Sequence, residues 1–285
     1  MAKLIMMRGL PASGKSTKVQ ELVKEYGNYV RVNRDLLRTM LHFDKWSGTN
    51  ESLTKLAQRA IVKEMLVKNI GVIVDDTNLS RGHHDSWRDL AKECDAQFEV
   101  VDIDTDWREC VRRDAARDKK VGKHVIIGMA RQYRIGGYDM EQPEIICDID
   151  GTLADLTHRR HYVEQEPKDW KGFFAETSGD APIQSTIDMV KQYHITHRII
   201  LVSGRPEYTR KATEEWLSKY QIPYHVLFMR KESDKRPDTE VKKDILHDYF
   251  DKSKVELVID DRPSVIRMWR EKGLKVEDVG DGIEF

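Results

Sequence analysis

The strongest constraint on the fold is a glycine-rich loop near the start of the chain. Residues 9–16 read G-L-P-A-S-G-K-S, which is a complete Walker A sequence. The loop follows a short apolar stretch, Leu4 to Met7, and precedes a helical pattern. The motif requires this strand–loop–helix context, because the loop N–H groups and the helix N-terminus together bind phosphate oxygens. The chain is therefore predicted to begin with an α/β unit built on a parallel sheet.

A second segment of the same type begins near the middle of the chain. Ile145 to Ile149 form a largely apolar stretch that contains Asp148 and is followed by Asp150 and Gly151. Between the two segments, residues 134–143 (R-I-G-G-Y-D-M-E-Q-P) have the glycine pair, polar residues and proline of a linker. A chain of 285 residues is long enough for two domains. We therefore predict domains at residues 1–141 and 142–285.

Apolar runs alternate with helical patterns in both halves, which predicts an α/β fold with two doubly wound parallel sheets covered by helices on both faces. Trp87, Trp216 and Trp269 fall within helical patterns and are predicted to be core residues. The further predicted strands are residues 29–32, 72–74, 98–103, 199–202, 225–229 and 255–259. The predicted helices are residues 53–70, 207–220, 241–249 and 263–272.

Bulk composition restricts the class of protein. Hydrophobic residues make up 39% and charged residues 34%, as in soluble, globular proteins. No stretch has the ~18 consecutive apolar residues of a membrane span, and the N-terminus lacks the features of a secretory signal. Three cysteines without metal-ligand spacing predict free thiols in a reducing cytoplasm. The net charge of −1 divides into +4 for residues 1–142 and −5 for the remainder, so a polyanion site has to be a local patch.

The glycine-rich loop predicts a nucleotide phosphate site. Gly9 and Gly14 allow the backbone to turn its N–H groups toward phosphate oxygens. Lys15 is expected to reach the β- and γ-phosphates, and Ser16 to hold Mg²⁺. The motif does not by itself separate a kinase from a nucleotide hydrolase, so the neighbouring residues have to decide.

The sequence V-N-R-D-L-L-R at residues 32–38 supplies a candidate base. Asp35 begins a helical stretch, and Arg38 lies three residues later on the same face. A carboxylate beside a phosphate loop can accept the proton of an incoming hydroxyl group, and an arginine can bind a neighbouring phosphate. The alternative is that Asp35 caps the helix and Arg38 is solvated.

Two more groups of charged residues complete the predicted first site. Asp76, in V-I-V-D-D-T-N at residues 72–78, lies at the end of a buried strand, where it can orient Mg²⁺ through water or contact the acceptor. Helix capping by Asp75 or Asp76 is the alternative. Arg113 and Arg117 lie four residues apart in the most basic run of the chain, so they are expected to share a helix face and close over the transferring phosphoryl group. An exposed amphipathic helix is the alternative there.

The sequence D-I-D-G-T at residues 148–152 predicts a second site with aspartyl phosphatase chemistry. Asp148 and Asp150 leave the strand on the same side. One carboxylate can bind Mg²⁺ and attack phosphorus, and the other can donate and then accept a proton. Gly151 allows the tight turn that follows.

Three later segments fit the same site. S-G-R at residues 203–205 follows a predicted strand and offers a hydroxyl group and N–H groups to a phosphate oxygen. Lys242 lies near a helix start and can neutralise a phospho-aspartate, while D-D-R at residues 260–262 supplies carboxylates for a metal. H-R-R-H at residues 158–161 is expected to be a solvated loop, with contact to a phosphate end as the alternative.

A Walker A half followed by a D-x-D-G-T half resembles the bifunctional polynucleotide kinase 3′-phosphatases of bacteriophages. The resemblance covers nearly the whole chain in the same domain order, and the second half is similar to the haloacid dehalogenase superfamily. It implies a P-loop kinase fold followed by a Rossmann-like phosphatase fold. The motifs that carry it are G-L-P-A-S-G-K-S-T, N-R-D, D-T-N, R-x-x-x-R, D-I-D-G-T-L, V-S-G-R, I-D-D-R and M-W-R.

The resemblance also implies roles for individual residues. Asp35 corresponds to the base that activates a 5′-hydroxyl group, Asp148 to the phosphatase nucleophile and Asp150 to its acid/base, with Lys15 and Lys242 as further catalytic positions. The ATP-binding positions are Gly9, Ser13, Gly14, Lys15, Ser16, Thr17, Arg113 and Arg117. The acceptor- and substrate-binding positions are Arg38, Asp76, Ser203, Gly204, Arg205 and Arg236, and Pro237 follows the last of these where the family has a basic residue. The metal positions are Ser16, Asp148, Asp150, Asp260 and Asp261.

Together these residues predict a nucleic-acid end-healing enzyme that uses ATP and Mg²⁺. It would transfer the γ-phosphate of ATP to a 5′-hydroxyl end of RNA or DNA. It would hydrolyse a 3′-phosphate through an aspartyl phosphate, with a 2′,3′-cyclic phosphate as an open alternative. A nucleic-acid ligase is an expected downstream partner, because it joins the resulting ends. The resemblance further implies a homotetramer in the cytoplasm, that of the host cell if the protein is phage-encoded.

Two other functions remain open from the sequence. In the first, the kinase half acts on a nucleoside or another small metabolite and is fused to a phosphatase of the haloacid dehalogenase type. In the second, the chain is a nucleic-acid-binding protein whose phosphatase half is degenerate. The intact pair of Asp148 and Asp150 argues against the second.

Overall fold

The computed structural model describes residues 1–138 and 141–282. The chain divides into two compact units, Met1–Met140 and Glu141–Phe285. Asp139 and Met140, which belong to the predicted linker, lie outside the described residues, as do residues 283–285. Within the described ranges, no helix is long and apolar enough to cross a membrane, and the three cysteines are free thiols as predicted.

The first unit alternates strands and helices along the chain. Its described strands form a parallel sheet in the order β2-β3-β1-β4, so that β1 lies between two neighbours. The elements are β1 (Lys3–Arg8), α1 (Lys15–Tyr26), β2 (Tyr29–Val32), α2 (Arg34–His42), α3 (Gly48–Val67), β3 (Gly71–Val74), α4 (Arg81–Glu93), β4 (Gln97–Asp102), α5 (Trp107–Ala115) and α6 (Lys123–Tyr133).

Both faces of the first sheet are covered by helices. Leu4 and Met6 of β1 pack into one apolar cluster with residues of α2, α3 and α4. Ile5 and Met7 pack into a separate cluster with residues of α1. Because successive side chains of a strand point to opposite faces, two clusters on alternate residues mean that both faces are buried. Each such buried aliphatic side chain stabilises the unit by about 1.5–3 kcal/mol.

The second unit has the same architecture with one more strand in its main sheet. The order of its described strands is β11-β10-β5-β8-β9, all parallel, and β6 and β7 form a small antiparallel pair beside it. The elements are β5 (Glu144–Cys147), β6 (Ala154–Asp155), α7 (His161–Glu164), α8 (Trp170–Ala175), β7 (Ala181–Pro182), α9 (Gln184–Tyr193), β8 (Arg198–Pro206), α10 (Arg210–Lys219), β9 (Val226–Arg230), α11 (Asp238–Tyr249), β10 (Val255–Asp260), α12 (Pro263–Glu271) and β11 (Val276–Asp278).

Successive side chains of β5 point to opposite faces of the second sheet, so they belong to two different apolar clusters. Ile145 and Cys147 pack with residues of α9 and α10, whereas Ile146 packs with residues of α11 and α12. Trp216 and Trp269 are buried in these two clusters, as predicted. The predicted fold class, two doubly wound α/β units with parallel sheets, is therefore confirmed.

Two predicted element boundaries differ from the structure by four or more residues. The strand at residues 199–202 was expected to end before S-G-R, but β8 continues to Pro206, with a shift in its pairing to β9 between Ser203 and Pro206. Helix α3 begins at Gly48 instead of residue 53, because the Ser47 side chain accepts the Asn50 N–H and caps the helix there. Both differences arise from hydrogen bonds that apolar periodicity does not report.

Candidate active sites

The phosphate loop joins β1 to α1 at the carboxyl end of the first sheet, where parallel α/β sheets bind ligands. Gly14 has φ 100° and precedes α1, and no side chain among the described residues caps that helix N-terminus. The first N–H groups of α1 therefore remain for an anion. At Gly9, a Cβ atom would lie 2.7 Å from the Ile103 carbonyl oxygen, so this position requires glycine. The Thr105 hydroxyl donates to the Ser13 carbonyl oxygen at 2.8 Å and holds the loop from the β4 side.

Lys15 is buried within this loop. Its Nζ donates to the carbonyl oxygens of Gly9 at 3.0 Å and Leu10 at 2.6 Å. Burial lowers the pKa of Lys15, and Asp75 opposes the decrease. The amine therefore lies inside the loop, next to the position of any phosphate that the loop N–H groups bind.

Asp75 is the acidic residue that reaches the phosphate loop. Its carboxylate accepts a hydrogen bond from the Ser16 hydroxyl at 2.8 Å and pairs with the Arg31 guanidinium at 2.7 Å. A hydroxyl oxygen and a carboxylate oxygen this close together are typical ligands of Mg²⁺ in P-loop proteins. The pair of Ser16 and Asp75 therefore fits a divalent cation.

Helix α2 carries the candidate base. The Asn33 side chain accepts the Leu36 N–H at 2.9 Å and caps the helix, so the alternative that Asp35 is the cap is wrong. The Asp35 side chain is 82% exposed and pairs with Arg38 at 2.6 Å. Arg38 also pairs with Glu51 of α3 at 2.9 Å. Asp35 and Arg38 thus share one helix face, as predicted, and Asp35 is open to an incoming molecule.

The Asp76 side chain, which follows β3, contacts the first turn of α2. Its carboxylate accepts the Arg34 N–H at 2.9 Å and a hydrogen bond from Gln58 of α3 at 2.6 Å. Burial raises the pKa of Asp76, while Gln58 and Arg34 oppose the increase. Asp76 therefore accepts an N–H group of the first turn of α2, as the capping alternative predicted. These contacts place Asp76 beside the helix that carries Asp35, and not beside Ser16.

The two predicted arginines of the basic run occupy different positions. Arg113 lies on α5 and its guanidinium is 3.4 Å from the Ser13 carbonyl oxygen of the phosphate loop. Arg117 does not share that helix face, because α5 ends at Ala115. The Asp114 carboxylate accepts the N–H groups of two residues beyond the helix end and turns the chain back, which places Arg117 in the turn. The expectation of one shared helix face is therefore wrong.

The carboxyl ends of β5 and β10 bring three carboxylates together in the second unit. Asp148, Asp260 and Asp261 each have an oxygen atom within 4.8 Å of the others, and we call this group the aspartate cluster. Lys242 of α11 donates to Asp148 at 2.8 Å and to Asp260 at 3.0 Å. The Thr152 hydroxyl donates to Asp261 at 2.8 Å and fixes its orientation.

The charges of the aspartate cluster favour a cation. Burial raises the pKa of Asp148 well above its usual value, Lys242 opposes this, and Asp260 and Asp261 add to it. Burial likewise raises the pKa of Asp261 to about 6, with Asp260 adding to it. Although burial acts in the opposite direction, the neighbouring carboxylates raise the pKa of Lys242, so its amine is charged. A divalent cation among these oxygen donors would offset the remaining repulsion, so the residues fit Mg²⁺.

Two buried arginines hold Asp150. The guanidinium groups of Arg159 and Arg205 lie 2.7 and 2.6 Å from its carboxylate, and we call this pair the arginine clamp. Both arginines also pair with the buried Asp180, at 2.6 and 2.5 Å. Burial opposes ionisation, but Arg205 and Arg159 together lower the pKa of Asp150 to about 2. The carboxylate is therefore ionised at neutral pH.

The metal role predicted for Asp150 stays a prediction, because its carboxylate lies outside the aspartate cluster. Within the described residues, the group of carboxylates that could hold a metal consists of Asp148, Asp260 and Asp261. The Asp150 carboxylate is occupied by the arginine clamp instead. Both guanidinium groups contact the same carboxylate oxygen of Asp150, Oδ1.

The loop at residues 158–161 is not fully solvated. Arg159 is 0% exposed, and its guanidinium also lies 4.1 Å from the centre of the Phe173 ring. His158 contacts the Asp180 carboxylate at 3.0 Å through Nε2. The expectation of a solvated loop is therefore wrong for Arg159, because an ion pair with acidic residues compensates for its burial.

Of the remaining predicted phosphatase residues, Ser203 and Gly204 are closely packed, whereas Arg236 lies away from the aspartate cluster. Ser203 is buried, and its hydroxyl oxygen accepts the Arg205 N–H at 3.2 Å. A Cβ atom at Gly204 would lie 2.7 Å from a carboxylate oxygen of Asp238, so glycine fits that close approach. Arg236 is half exposed and pairs with Asp234 and Asp244 at 2.7 and 2.8 Å, contacts that lie outside the aspartate cluster and the arginine clamp.

Sequence reasoning missed four residues that the structure places at these sites. They are Arg31 and Asp75 in the first unit and Arg159 and Asp180 in the second. A signal existed for Asp75, since two adjacent acidic residues follow β3 and only one of them can point toward the neighbouring loop. No local pattern indicated Asp180, whose partners lie 21 and 25 residues away along the chain.

Comparison with protein-family models gives a match for each unit. Residues 142–284 match the model described as the polynucleotide kinase PNKP phosphatase domain. Residues 4–134 match a model described as an AAA domain. Among solved structures, a chain of the Pnkp1/Rnl/Hen1 RNA repair complex is 29% identical, with a TM-score of 0.44, and the match covers 99% of this chain and 97% of that one.

Curated relatives include enzymes that act on nucleic acids. A protein of Autographa californica nuclear polyhedrosis virus, named as a bifunctional polynucleotide kinase/RNA ligase, is 28% identical over 97% of this chain. The match spans 42% of the length of that viral protein. An L-seryl-tRNA(Sec) kinase of Methanococcus maripaludis is 25% identical over 88% of this chain and 99% of its own length. A bifunctional polynucleotide phosphatase/kinase of Schizosaccharomyces pombe is 29% identical over 35% of this chain and 21% of its own.

Proposed function

Because the chain belongs to the family of the polynucleotide kinase PNKP phosphatase domain, we propose that it heals nucleic-acid ends. Residues 1–141 phosphorylate a 5′-hydroxyl end with ATP, and residues 142–285 hydrolyse a 3′-phosphate. The observation that carries the proposal is the aspartate cluster with Lys242, together with a complete phosphate loop in the same chain. An aspartate nucleophile with a neighbouring amine and two further carboxylates suits transfer of a phosphoryl group to the enzyme.

The first reaction joins the 5′-hydroxyl oxygen to the γ-phosphorus of ATP. Asp35 accepts the hydroxyl proton, and the bond between the γ-phosphorus and the β-phosphate oxygen breaks. The loop N–H groups and Lys15 bind the phosphates, and Arg113 and Arg117 neutralise the charge that develops. Ser16 and Asp75 would hold Mg²⁺, which shields phosphate charge when bound. Arg38 binds the acceptor phosphate, and Asp76 positions the helix that carries Asp35.

The second reaction transfers a 3′-phosphate to water. Asp148 attacks phosphorus, the bond between phosphorus and the 3′-oxygen breaks, and the leaving oxygen takes a proton from a solvent water molecule. Lys242 stabilises the aspartyl phosphate, and Ser203 with its neighbouring N–H groups binds a phosphate oxygen. Asp150, ionised in the arginine clamp, accepts the proton of the water molecule that hydrolyses this intermediate. Asp148, Asp260 and Asp261 would hold Mg²⁺, which stabilises charge on the phosphoryl oxygens when bound.

The two products, a 5′-phosphate and a 3′-hydroxyl group, are the ends that a nucleic-acid ligase joins. We therefore place the reaction before ligation, and we expect the enzyme to work in the cytoplasm as a homo-oligomer. A second candidate function keeps both chemistries but gives the kinase a small acceptor, such as a nucleoside. The similarity to an L-seryl-tRNA(Sec) kinase supports this candidate, because the hydroxyl group that such a kinase phosphorylates is not the 5′ end of a strand.

One reaction tests both halves of the proposal. The protein is incubated with Mg²⁺, ATP and an oligonucleotide that has a 5′-hydroxyl and a 3′-phosphate, and mass spectrometry reads both ends. Lys15→Ala is expected to prevent only the gain of the 5′-phosphate, and Asp148→Asn to prevent only the loss of the 3′-phosphate. If both ends stay unchanged while the protein still hydrolyses ATP or a simple phosphoester, the nucleic-acid assignment is wrong and the small-acceptor function replaces it.

A further inference from the structure

Large apolar side chains are exposed along α2 and in the loop that follows it. Leu36 is 57% exposed, Met40 65%, Phe43 84% and Trp46 75%, and we call these four residues the aromatic surface. Seven of the fifteen exposed large apolar side chains of the described residues lie between residues 36 and 56. Singly scattered apolar residues are ordinary on protein surfaces, but a concentration of this kind marks a binding surface.

The aromatic surface is continuous with the candidate base of the kinase site. Asp35 and Thr39 are four residues apart and follow one another along one side of α2. Phe43 is the residue that ends the helix, and its N–H donates to the Thr39 carbonyl oxygen, so it lies one turn beyond Thr39. At 1.5 Å per residue, Phe43 lies about 12 Å beyond Asp35 along the helix. A strand whose 5′-hydroxyl group lies at Asp35 and whose first phosphate meets Arg38 can therefore continue over Phe43 and Trp46.

The charge beside the aromatic surface suits a polyanion. Lys119 pairs with Asp44 at 2.6 Å, and Asp44 also accepts a hydrogen bond from the Thr39 hydroxyl at 2.6 Å. This contact places Lys119, one of the basic side chains of residues 112–123, at the edge of the surface. That segment has six basic and two acidic side chains, so it offers a net positive edge to a phosphate backbone.

We propose that the aromatic surface binds single-stranded nucleic acid by stacking on the bases that follow the 5′-terminal nucleotide. Exposed aromatic rings next to a basic edge are the combination by which proteins bind single strands without sequence preference, because every base has a stacking face. The inference rests on the proposed kinase function and adds to it a preference for 5′ ends with several unpaired nucleotides.

The test compares a short and a long acceptor for the 5′-kinase reaction. The short acceptor is a nucleoside 3′-monophosphate, which has the 5′-hydroxyl group and one phosphate but no second base. The long acceptor is an unstructured decanucleotide. Phe43→Ala and Trp46→Ala are each expected to raise KM for the decanucleotide by about tenfold, with kcat, KM for ATP and KM for the mononucleotide unchanged.

Three controls separate stacking from other roles of the surface. Trp46→Phe keeps a ring and is expected to restore the KM, whereas Trp46→Leu keeps apolar area without a ring and is expected not to. Ile195→Ala removes a side chain that is 78% exposed in the second unit and is expected to change nothing. Light scattering of each variant is expected to give the mass of the unmodified protein.

The outcomes distinguish this inference from the function on which it rests. If the unmodified protein phosphorylates neither acceptor, the proposed function fails, and the inference fails with it. If both acceptors are phosphorylated and the alanine variants keep the original KM for the decanucleotide, only the inference is wrong. A lower molecular mass of the variants with an unchanged KM would mean that the aromatic surface contacts a second copy of the chain, which also overturns it.

Discussion

At the scale of single residues, Arg159 contributes a buried charge to the arginine clamp of the second unit. Its side chain is fully buried, and it pairs with both Asp150 and Asp180. A planar guanidinium can contact two carboxylates at once, whereas the point charge of a lysine cannot reproduce that geometry. Arg159 therefore acts as a positioning residue that fixes the orientation of the proposed base.

Arg159→Lys is expected to lower the rate of 3′-phosphate removal by about 100-fold, because the Asp150 carboxylate loses its fixed position. The 5′-kinase rate is expected to stay the same, because Arg159 belongs to the other unit. The measurement is kcat for each reaction on one oligonucleotide, together with the pH profile of the phosphatase. Arg160→Ala, at the neighbouring partly exposed position, serves as the control. An unchanged phosphatase rate and pH profile in Arg159→Lys would contradict the positioning role.

At the scale of elements, α2 connects the base to the rest of the kinase site. Its cap, Asn33, accepts the Leu36 N–H and donates through its side-chain amide to the Asp75 carbonyl oxygen. Asp76 accepts the Arg34 N–H at the same helix start. The first turn of α2 is therefore tied to the end of β3, which also supplies the carboxylate next to Ser16.

Asn33→Ala is expected to destabilise the first unit by about 1 kcal/mol, because a helix N–H loses its cap. The KM for the nucleic-acid acceptor is expected to rise more than the KM for ATP, since α2 carries Asp35 and Arg38. Thermal unfolding and steady-state kinetics measure the two effects. Asn33→Asp keeps the cap but loses the amide donor, so it separates the two roles of this side chain.

Ser80→Ala is the matched control for the cap of α2, because Ser80 caps α4 by accepting the His83 N–H. A similar loss of stability without a change in acceptor KM is expected there, since none of the proposed site residues lies on α4. Equal changes in acceptor KM for Asn33→Ala and Ser80→Ala would mean that general destabilisation, not the position of α2, sets acceptor binding.

At the scale of the whole molecule, each unit has its own sheet and its own apolar clusters. The clusters around β1 contain residues of the first unit, and those around β5 contain residues of the second. Each cluster therefore depends on the folding of one unit, so damage to one core is expected to leave the other reaction in place.

Leu4→Ala in the full chain is expected to destabilise the first unit by about 2–5 kcal/mol, because it leaves a cavity in a fully buried cluster. Thermal inactivation of the 5′-kinase should then occur at a lower temperature, with that of the 3′-phosphatase unchanged. Ile145→Ala is the matched substitution in β5 and should have the opposite effect. Simultaneous inactivation of both reactions by either variant would show that the units do not unfold separately.

The order of strands and helices and the two phosphate motifs follow from the sequence. A glycine-rich loop between an apolar stretch and a helix specifies its own backbone conformation, as the positive φ of Gly14 shows. Alternating apolar runs specify buried strands because both faces of a parallel sheet need apolar residues, which Ile145 and Ile146 satisfy on opposite faces. Strand ends then place Asp148 and Asp260 together, because β5 and β10 pair in parallel.

The tertiary structure decided which side chains meet across those elements. Asp75, and not Asp76, reaches Ser16 over a separation of 59 residues. Asp150 is held by the arginine clamp instead of joining the aspartate cluster, and Arg236 pairs elsewhere. The physical reason is that a hydrogen bond or ion pair between distant residues depends on the packing of the strands and helices between them. Local spacing restricts the side on which a residue leaves its strand, but it does not specify the partner on that side.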